Sequence, residues 1–463
     1  MSHERRFLAP LAYLPTGWAP DVAFGVDAGG TFTSVTPNAP AAAIRGATRI
    51  DGVILPGMPN AHSHAFQRAM VGLTHRAGPG SDNFWSWRTL MYALALRLSP
   101  EQIEAIATWV YVEMLRGGYT HVCEFHYLHN DVDGRPYADP AELSRAVLRA
   151  AKTAGIGITL LPVLYMTAGF GGTPARDEQR RFLSSPDRLL DVVRALRGEH
   201  AGDTRVAFGL APHSLRAVPP EALDTAVRGL RALDAGAPLH IHIAEQTGEV
   251  DACLQWSGQR PVEWLLDHQP VDGTWNLVHA THMTSVESSR AAATGAVAVI
   301  CATTEADLGD GIFDFAAWRE AHGRIAIGTD SQVSRDWWSE LRMLEYSQRL
   351  ALRARNVGAA SAGLSSSEQL FDRALAGGAS ASGLPLGRIE TGARADWLVV
   401  RADKLAFAGR TPAAYLDSLV FDHHAADFSD VVVAGRSLGQ ALRGDLARHA
   451  RERFVATLND LQS

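Results

Sequence analysis

Lysine is almost missing from this chain: of its 43 basic residues only Lys152 and Lys404 are lysines. Cysteine is nearly as scarce. Cys123, Cys253 and Cys301 lie far apart without a CxxC pair, each in an apolar or helical stretch where a free thiol packs as a small hydrophobe, which fits a reducing compartment. No segment reaches the roughly 18 consecutive apolar residues of a membrane span. At the N-terminus Arg5 and Arg6 precede apolar residues, but Pro10 and Pro15 interrupt the run and no small-residue cleavage site follows. A membrane partner is therefore not expected, and the cytoplasm is the expected location. Clustered positive charge is also lacking, because the net charge is −7 and the basic residues are scattered, so nucleic acid is not an expected partner.

What is present is the material of a folded protein: 463 residues, 46% hydrophobic and 20% charged, with 18 histidines as a mild excess. Length alone allows about three domains of roughly 150 residues, yet an α/β barrel with insertions can absorb more than 300 as one unit. Short apolar runs alternate with helical stretches through the middle of the chain, at 52–64, 119–127, 157–166, 205–213, 238–245, 275–282, 296–305 and 324–331. Eight such runs predict a (β/α)8 barrel of the TIM type. Between them lie helical patterns such as 100–118, with Pro100 early in the helix and Gly117 past its end. The flanks carry short alternating strands without long helices. The expected organisation is a small β-sandwich domain from residues 1–55 and 386–440, a catalytic barrel over 56–385, and a C-terminal helix over 441–463.

Ionisable residues cluster at the C-terminal ends of the runs, the face of a barrel where chemistry sits. His62 and His64 are two apart and share a face. Alone such a pair says little, since hydrogen-bonded histidines also pack near loops. The fifth run adds His240, His242 and Glu245, the sixth adds His279 and His282, and the eighth ends in Asp330. A barrel would bring these together. Imidazoles plus one carboxylate suit Zn²⁺ or Fe²⁺ rather than Ca²⁺ or Mg²⁺, which prefer oxygen. Such a cation lowers the pKa of water it binds from near 16 toward roughly 7.

The motifs PGMPNAHSHAFQRAMVGL (56–73), FWSWRTLMY (84–92), GGYTHVCEFHYLH (117–129), APHSLRAV (211–218), HIHIAEQ (240–246), LVHATH (277–282), TTEADLGDGIF (303–313), TDSQVS (329–334) and LRMLEYSQRL (341–350) carry a resemblance over almost the whole chain. It is to the amidohydrolase superfamily and, within it, to the formimidoylglutamate deiminases of histidine degradation. The closing 387–403 looks like the superfamily's C-terminal strand signature. The resemblance implies hydrolysis of N-formimidoyl-L-glutamate to N-formyl-L-glutamate and ammonia. It also implies one divalent metal per chain, zinc by expectation, on His62, His64, His242 and Asp330. Glu245 is then the acid catalyst, His279 is catalytic, Asp330 doubles as base, His240 lies one pleat below, and His282 is structural. Binuclear relatives bridge two metals with a carbamylated lysine from a middle strand, and neither Lys152, in a helix, nor Lys404, in the terminal β-region, can do so. Three places depart from the family pattern: Thr74-His75, Asp307 and Gln332.

A glutamate-derived substrate carries two carboxylates, which arginine grips in bidentate fashion. Arg88 and Arg216 are the expected clamps for this anionic small molecule, with Gln67, Tyr127 and His213 as further substrate-binding candidates; Trp85 and Trp87 are expected to pack. Alternative substrates are another N-formimidoyl amino acid, such as the aspartate derivative, or a purine-type compound, which would want a base-stacking aromatic pocket rather than two arginines. A non-catalytic relative used for assembly would be free to lose ligands, and this chain keeps them all. A homodimer is the expected assembly.

Overall fold

The computed structural model describes residues 4–77, 80, 82–401, 403–404, 406–422 and 428–462. All eight predicted runs contain strands: Met58–Ser63, Tyr119–His126, Gly157–Leu164, Val206–Phe208 with Ala211–Pro212, Leu239–Ile243, Trp275–His279, Val297–Ile300 and Arg324–Ile327. The first four pair in parallel as one arc and the last four as another. Parallel bridges Leu210↔Leu239 and Ser63↔Asp330 join the arcs, so the sheet curls into a barrel of the TIM type. The second bridge sets the end of the first strand against Asp330 across the seam.

Some runs divide differently from the sequence reading. The first, 52–64, is two strands. Val53–Pro56 belongs to the terminal sheet and only Met58–Ser63 to the barrel. Gly57 sits at the break, where a Cβ would fall 2.3 Å from Thr120 Oγ1. The fourth is interrupted at Gly209, whose Cβ would lie 2.2 Å from the Pro238 carbonyl oxygen. The seventh stops at Ile300, and its expected last residues open the helix Ala302–Leu308.

The helix Pro100–Arg116 forms as expected. Ser99 and Gln102 make a capping box, Pro100 takes the first turn and Gly117 the C-cap. The C-terminal helix begins at Asp445 rather than 441, after the separate turn Gly439–Arg443, and packs Phe454 on Trp109 at 6.3 Å. No described helix is long and apolar enough to cross a membrane. All three cysteines are buried and free.

Strands from both chain ends pair with one another as expected, but as one continuous eight-stranded sheet rather than two. Val53–Pro56 is the hinge of this arrangement, pairing parallel to Arg5–Leu14 and antiparallel to Trp397–Val400. The sheet curls enough that residues on non-adjacent strands meet, with Phe24 and Trp397 ring centroids 5.2 Å apart. This curled face encloses its own small core of Val22, Phe24, Phe32, Ile54, Trp397 and Val432, so a second sheet is not needed to bury it.

Candidate active site

The C-terminal strand ends deliver the ionisable side chains to one place, partly through unusual backbone. Ala244, His279 and Asp330 have φ of 50°, 68° and 42°, in the left-handed region, where a non-glycine residue costs on the order of 1 kcal/mol or more. These turns fall where the fifth, sixth and eighth strands pass into their loops.

His62 Nε2 lies 3.2 Å from His64 Nε2 and 3.1 Å from His242 Nε2. Asp330 Oδ1 is 3.5 Å and 3.3 Å from the Nε2 atoms of His62 and His64. His64 Nδ1 faces the Phe125 carbonyl at 2.9 Å and His242 Nδ1 the His213 carbonyl at 3.2 Å. Each must therefore carry its hydrogen on Nδ1 and turn a bare Nε2 lone pair inward. Burial pushes the pKa of His62 down to about 3 and lowers those of His64 and His242, so the three rings are neutral. Asp330 is held well below the usual carboxylate range, because its hydrogen bond to His62 and the positive charge of His279 outweigh burial. At most one N–H, on His62, could serve two nitrogen lone pairs and a carboxylate, and His62 Nδ1 has no partner either. These donors fit a cation among them: two donors each about 2.1 Å from one zinc ion are separated by roughly 3.0–3.5 Å.

Around this cluster His279 Nδ1 is held by Glu305 at 3.2 Å, while its Nε2 faces Asp330 Oδ2 at 3.7 Å and Glu245 Oε1 at 3.9 Å. Burial alone would lower its pKa, but the three carboxylates push it up to about 10. Burial raises Glu245 to about 7, against the pull of His279 and Arg216. Glu249 accepts the backbone N–H groups of Ala244 and Glu245 at 3.3 and 3.1 Å, bracing the turn that presents Glu245. Of the other histidines, His240 bonds the Ala381 carbonyl and His282 the Asp310 carbonyl, both apart from the cluster.

A pocket of about 520 Å³, including its mouth, opens above the cluster, and Gln67, Arg88, Tyr127, His213 and Arg216 all line it. Gln67 Nε2 donates to Tyr127 OH at 2.8 Å. Tyr127 packs on His64 and His213 on His242, each at 4.9 Å between ring centroids, so this group borders the histidine cluster. Arg88 and Arg216 make no hydrogen bond or ion pair among the described residues, and Arg88 Nη1 and Arg216 Nε are buried without a hydrogen-bond partner, although Glu249 and Glu245 lie near enough to Arg216 to raise its pKa against burial. Burial and the charge of Arg216 lower the pKa of Arg88. Trp85 and Trp87 pack on Phe84 as expected, at 5.0 and 6.2 Å between ring centroids, and Trp87 also packs against the main core, but both have a second role at the pocket. Arg88 lies 4.4 Å over the Trp85 ring, which is 40% exposed, and Trp87 lines the pocket, because their helix, Phe84–Ala95, borders the mouth.

Two of the three departures from the family pattern meet in space: His75 Nε2 and Asp307 Oδ1 are 2.6 Å apart, joining the loop after the first strand to the helix whose Leu308 lines the pocket. The third, Gln332, donates to Ser63 Oγ at 3.0 Å and to the Asp330 carbonyl at 2.8 Å across the barrel seam. The sequence reading missed Glu305, Glu249, Tyr92 and Tyr165. The quoted motifs 303–313 and 84–92 contained Glu305 and Tyr92, and the apolar run 157–166 contained Tyr165, while Glu249 lies just past the motif 240–246.

A metal-binding hydrolase built on a barrel is the class these features describe, and residues 53–438 match the model of the amidohydrolase family, to which the chain belongs. It is 48% identical to the formimidoylglutamate deiminase of Pseudomonas aeruginosa over 98% of both chains. A crystal structure of an amidohydrolase from Brucella melitensis superposes with a TM-score of 0.91 at 44% identity, covering 99% of this chain and 100% of that one. An adenosine deaminase from Xanthomonas campestris with bound zinc shares the fold at TM-score 0.77 and 22% identity, over 98% of each chain.

Proposed function

We infer that the protein is a hydrolytic deiminase that converts N-formimidoyl-L-glutamate to N-formyl-L-glutamate and ammonia. The observation that carries the reading is a pair of arginines, Arg88 half-buried and Arg216 buried, that line the pocket above the histidine cluster, each with a guanidinium nitrogen lacking a hydrogen-bond partner. A buried guanidinium is tolerable when an anion completes it, and a carboxylate suits its planar fork. Arg88 and Arg216 grip the substrate's carboxylates, assisted by Gln67, Tyr127 and His213, leaving the formimino carbon at the histidine cluster. A purine offers no carboxylate to these arginines.

His62, His64, His242 and Asp330 would hold one divalent ion, zinc by this reading, which when bound would make hydroxide available at neutral pH. Asp330 accepts the proton that water gives up on attack. As the C–O bond forms, the C=N electrons move onto the terminal nitrogen, which takes the proton of Glu245. Glu245 suits this because burial keeps it protonated into the neutral range. His279, fixed by Glu305, directs its Nε2–H between Glu245 and Asp330 and orients the attacked centre. When the C–N bond breaks, the hydroxyl proton passes from the carbon's oxygen to Glu245 and on to the departing nitrogen, and Asp330 then returns its proton to Glu245, restoring both carboxyl groups. One water is consumed and one ammonia released.

The protein divides by this reading into a catalytic barrel over 56–385, a terminal β-domain from 1–55 and 386–440, and a final helical segment over 441–463. Ammonia release from N-formimidoyl-L-glutamate, N-formimidoyl-L-aspartate and a panel of aminopurines tests the assignment. Turnover of a purine above both amino acids overturns it.

A further inference from the structure

Gln179 is buried, 1% exposed, in a short turn, Asp177–Gln179, between the third strand and its following helix. Its orientation is fixed. Oε1 accepts the Arg176 backbone N–H at 2.9 Å, so Nε2 must be the atom facing Tyr92 OH at 3.1 Å and Tyr165 OH at 2.6 Å. An amide nitrogen has two hydrogens and no lone pair to accept with, so each phenol oxygen receives a hydrogen and neither can return one. At most one of the two O–H groups can turn to the other phenol. At least one is left to donate elsewhere, and both tyrosines line the pocket together with Arg88 and Arg216.

We propose that Gln179 is a positioning residue that polarises the Tyr92–Tyr165 pair so that a phenolic O–H donates to the substrate's side-chain carboxylate, one of the two that Arg88 and Arg216 grip. The proposal rests on the reading of the pocket as a carboxylate site and adds to it a neutral donor. A guanidinium pair alone accepts many anions, whereas a fixed O–H at a set distance favours one chain length between carboxylate and formimino group.

The test compares N-formimidoyl-L-glutamate with N-formimidoyl-L-glutamine, whose side-chain amide cannot use the O–H as a carboxylate does. Gln179→Glu keeps the shape but turns a donor into an acceptor that draws both O–H groups away from the pocket. Tyr165→Phe removes one hydroxyl and serves if the first variant does not fold. In either variant, KM for the glutamate substrate is expected to rise about tenfold while kcat moves less than about threefold, and the preference for glutamate over glutamine to fall by a similar factor. An unchanged preference, or equal loss on both substrates, overturns the proposal. Calorimetric binding of N-formyl-L-glutamate to parent and variants separates the two readings. If the parent turns over neither substrate, the deiminase assignment fails, yet weaker binding in the variants still supports the role of Gln179. Equal affinity in parent and variants, or a parent that does not bind, overturns it.

Discussion

Arg88→Met is the perturbation that bears most directly on the substrate. In the free protein the guanidinium stacks on Trp85 and lacks an acidic partner among the described residues, and both burial and Arg216 disfavour its charge. Methionine keeps much of the apolar stem and removes the charge, so folding breaks no ion pair and Tm is expected to hold or rise. Catalysis answers differently. A carboxylate left without its buried partner costs about 2–5 kcal/mol. At roughly 1.4 kcal/mol per tenfold, kcat/KM for N-formimidoyl-L-glutamate is expected to fall by about 30-fold to a few thousand-fold. On the diamide of the substrate, which has no carboxylate, the loss is expected to stay within about threefold. The assay is ammonia release by parent and variant on both compounds, with thermal denaturation beside it. Equal losses on dicarboxylate and diamide, or a marked drop in Tm, would mean that Arg88 supports the fold, and the argument from unpaired arginines would collapse. Arg216→Met is expected to show the same substrate dependence, but its burial beside Glu249 makes kinetics rather than Tm the readout.

Glu245→Gln is expected to retain metal and fold while losing about 10²-fold or more in kcat, since an amide of equal size cannot relay protons; turnover within a few-fold of the parent would remove Glu245 from the mechanism. Elemental analysis of purified protein is expected to give one divalent ion per chain, with activity lost on chelation and restored by zinc, and a need for two equivalents would contradict the mononuclear reading. His129, away from the site, is bonded through Nε2 to the Val163 carbonyl at 2.8 Å, and burial lowers its pKa to about 4. The unfolded chain takes up that proton near pH 6.5 while the folded chain resists, so this histidine's contribution to stability is intact above about 6.5 and is lost as pH falls toward 4. Consequently His129→Gln is expected to cost about 2 kcal/mol less at pH 5 than at pH 7 by denaturant titration; a cost independent of pH would show that His129 protonates normally in the fold.

The strands and the cluster were legible in the sequence for one shared reason. A barrel strand buried on both faces reads as an apolar run, and a titratable side chain closing such a run stands out because burying it needs a partner. His62 and His64, His242 and Asp330 announce themselves in this way from three different parts of the chain, and the curl of the sheet supplies the convergence. Register is what apolar runs do not encode. Residues 52–64 read as one run although Val53–Pro56 and Met58–Ser63 serve different sheets, since both strands are buried and only the close approach of Thr120 to Gly57 marks the break. The curled single sheet at the chain ends was hidden for the same reason, because alternation gives a buried face but not which strand lies beside which. Residues that act through others were least visible. Glu305, Glu249 and Gln179 hold His279, the Glu245 turn and two tyrosines by one or two hydrogen bonds each from helices and turns, where a lone polar residue looks like any solvated one. The pairing of His75 with Asp307 makes the point most sharply: each is an unremarkable departure from a motif when read alone, and only their 2.6 Å contact gives both a physical reason to be there.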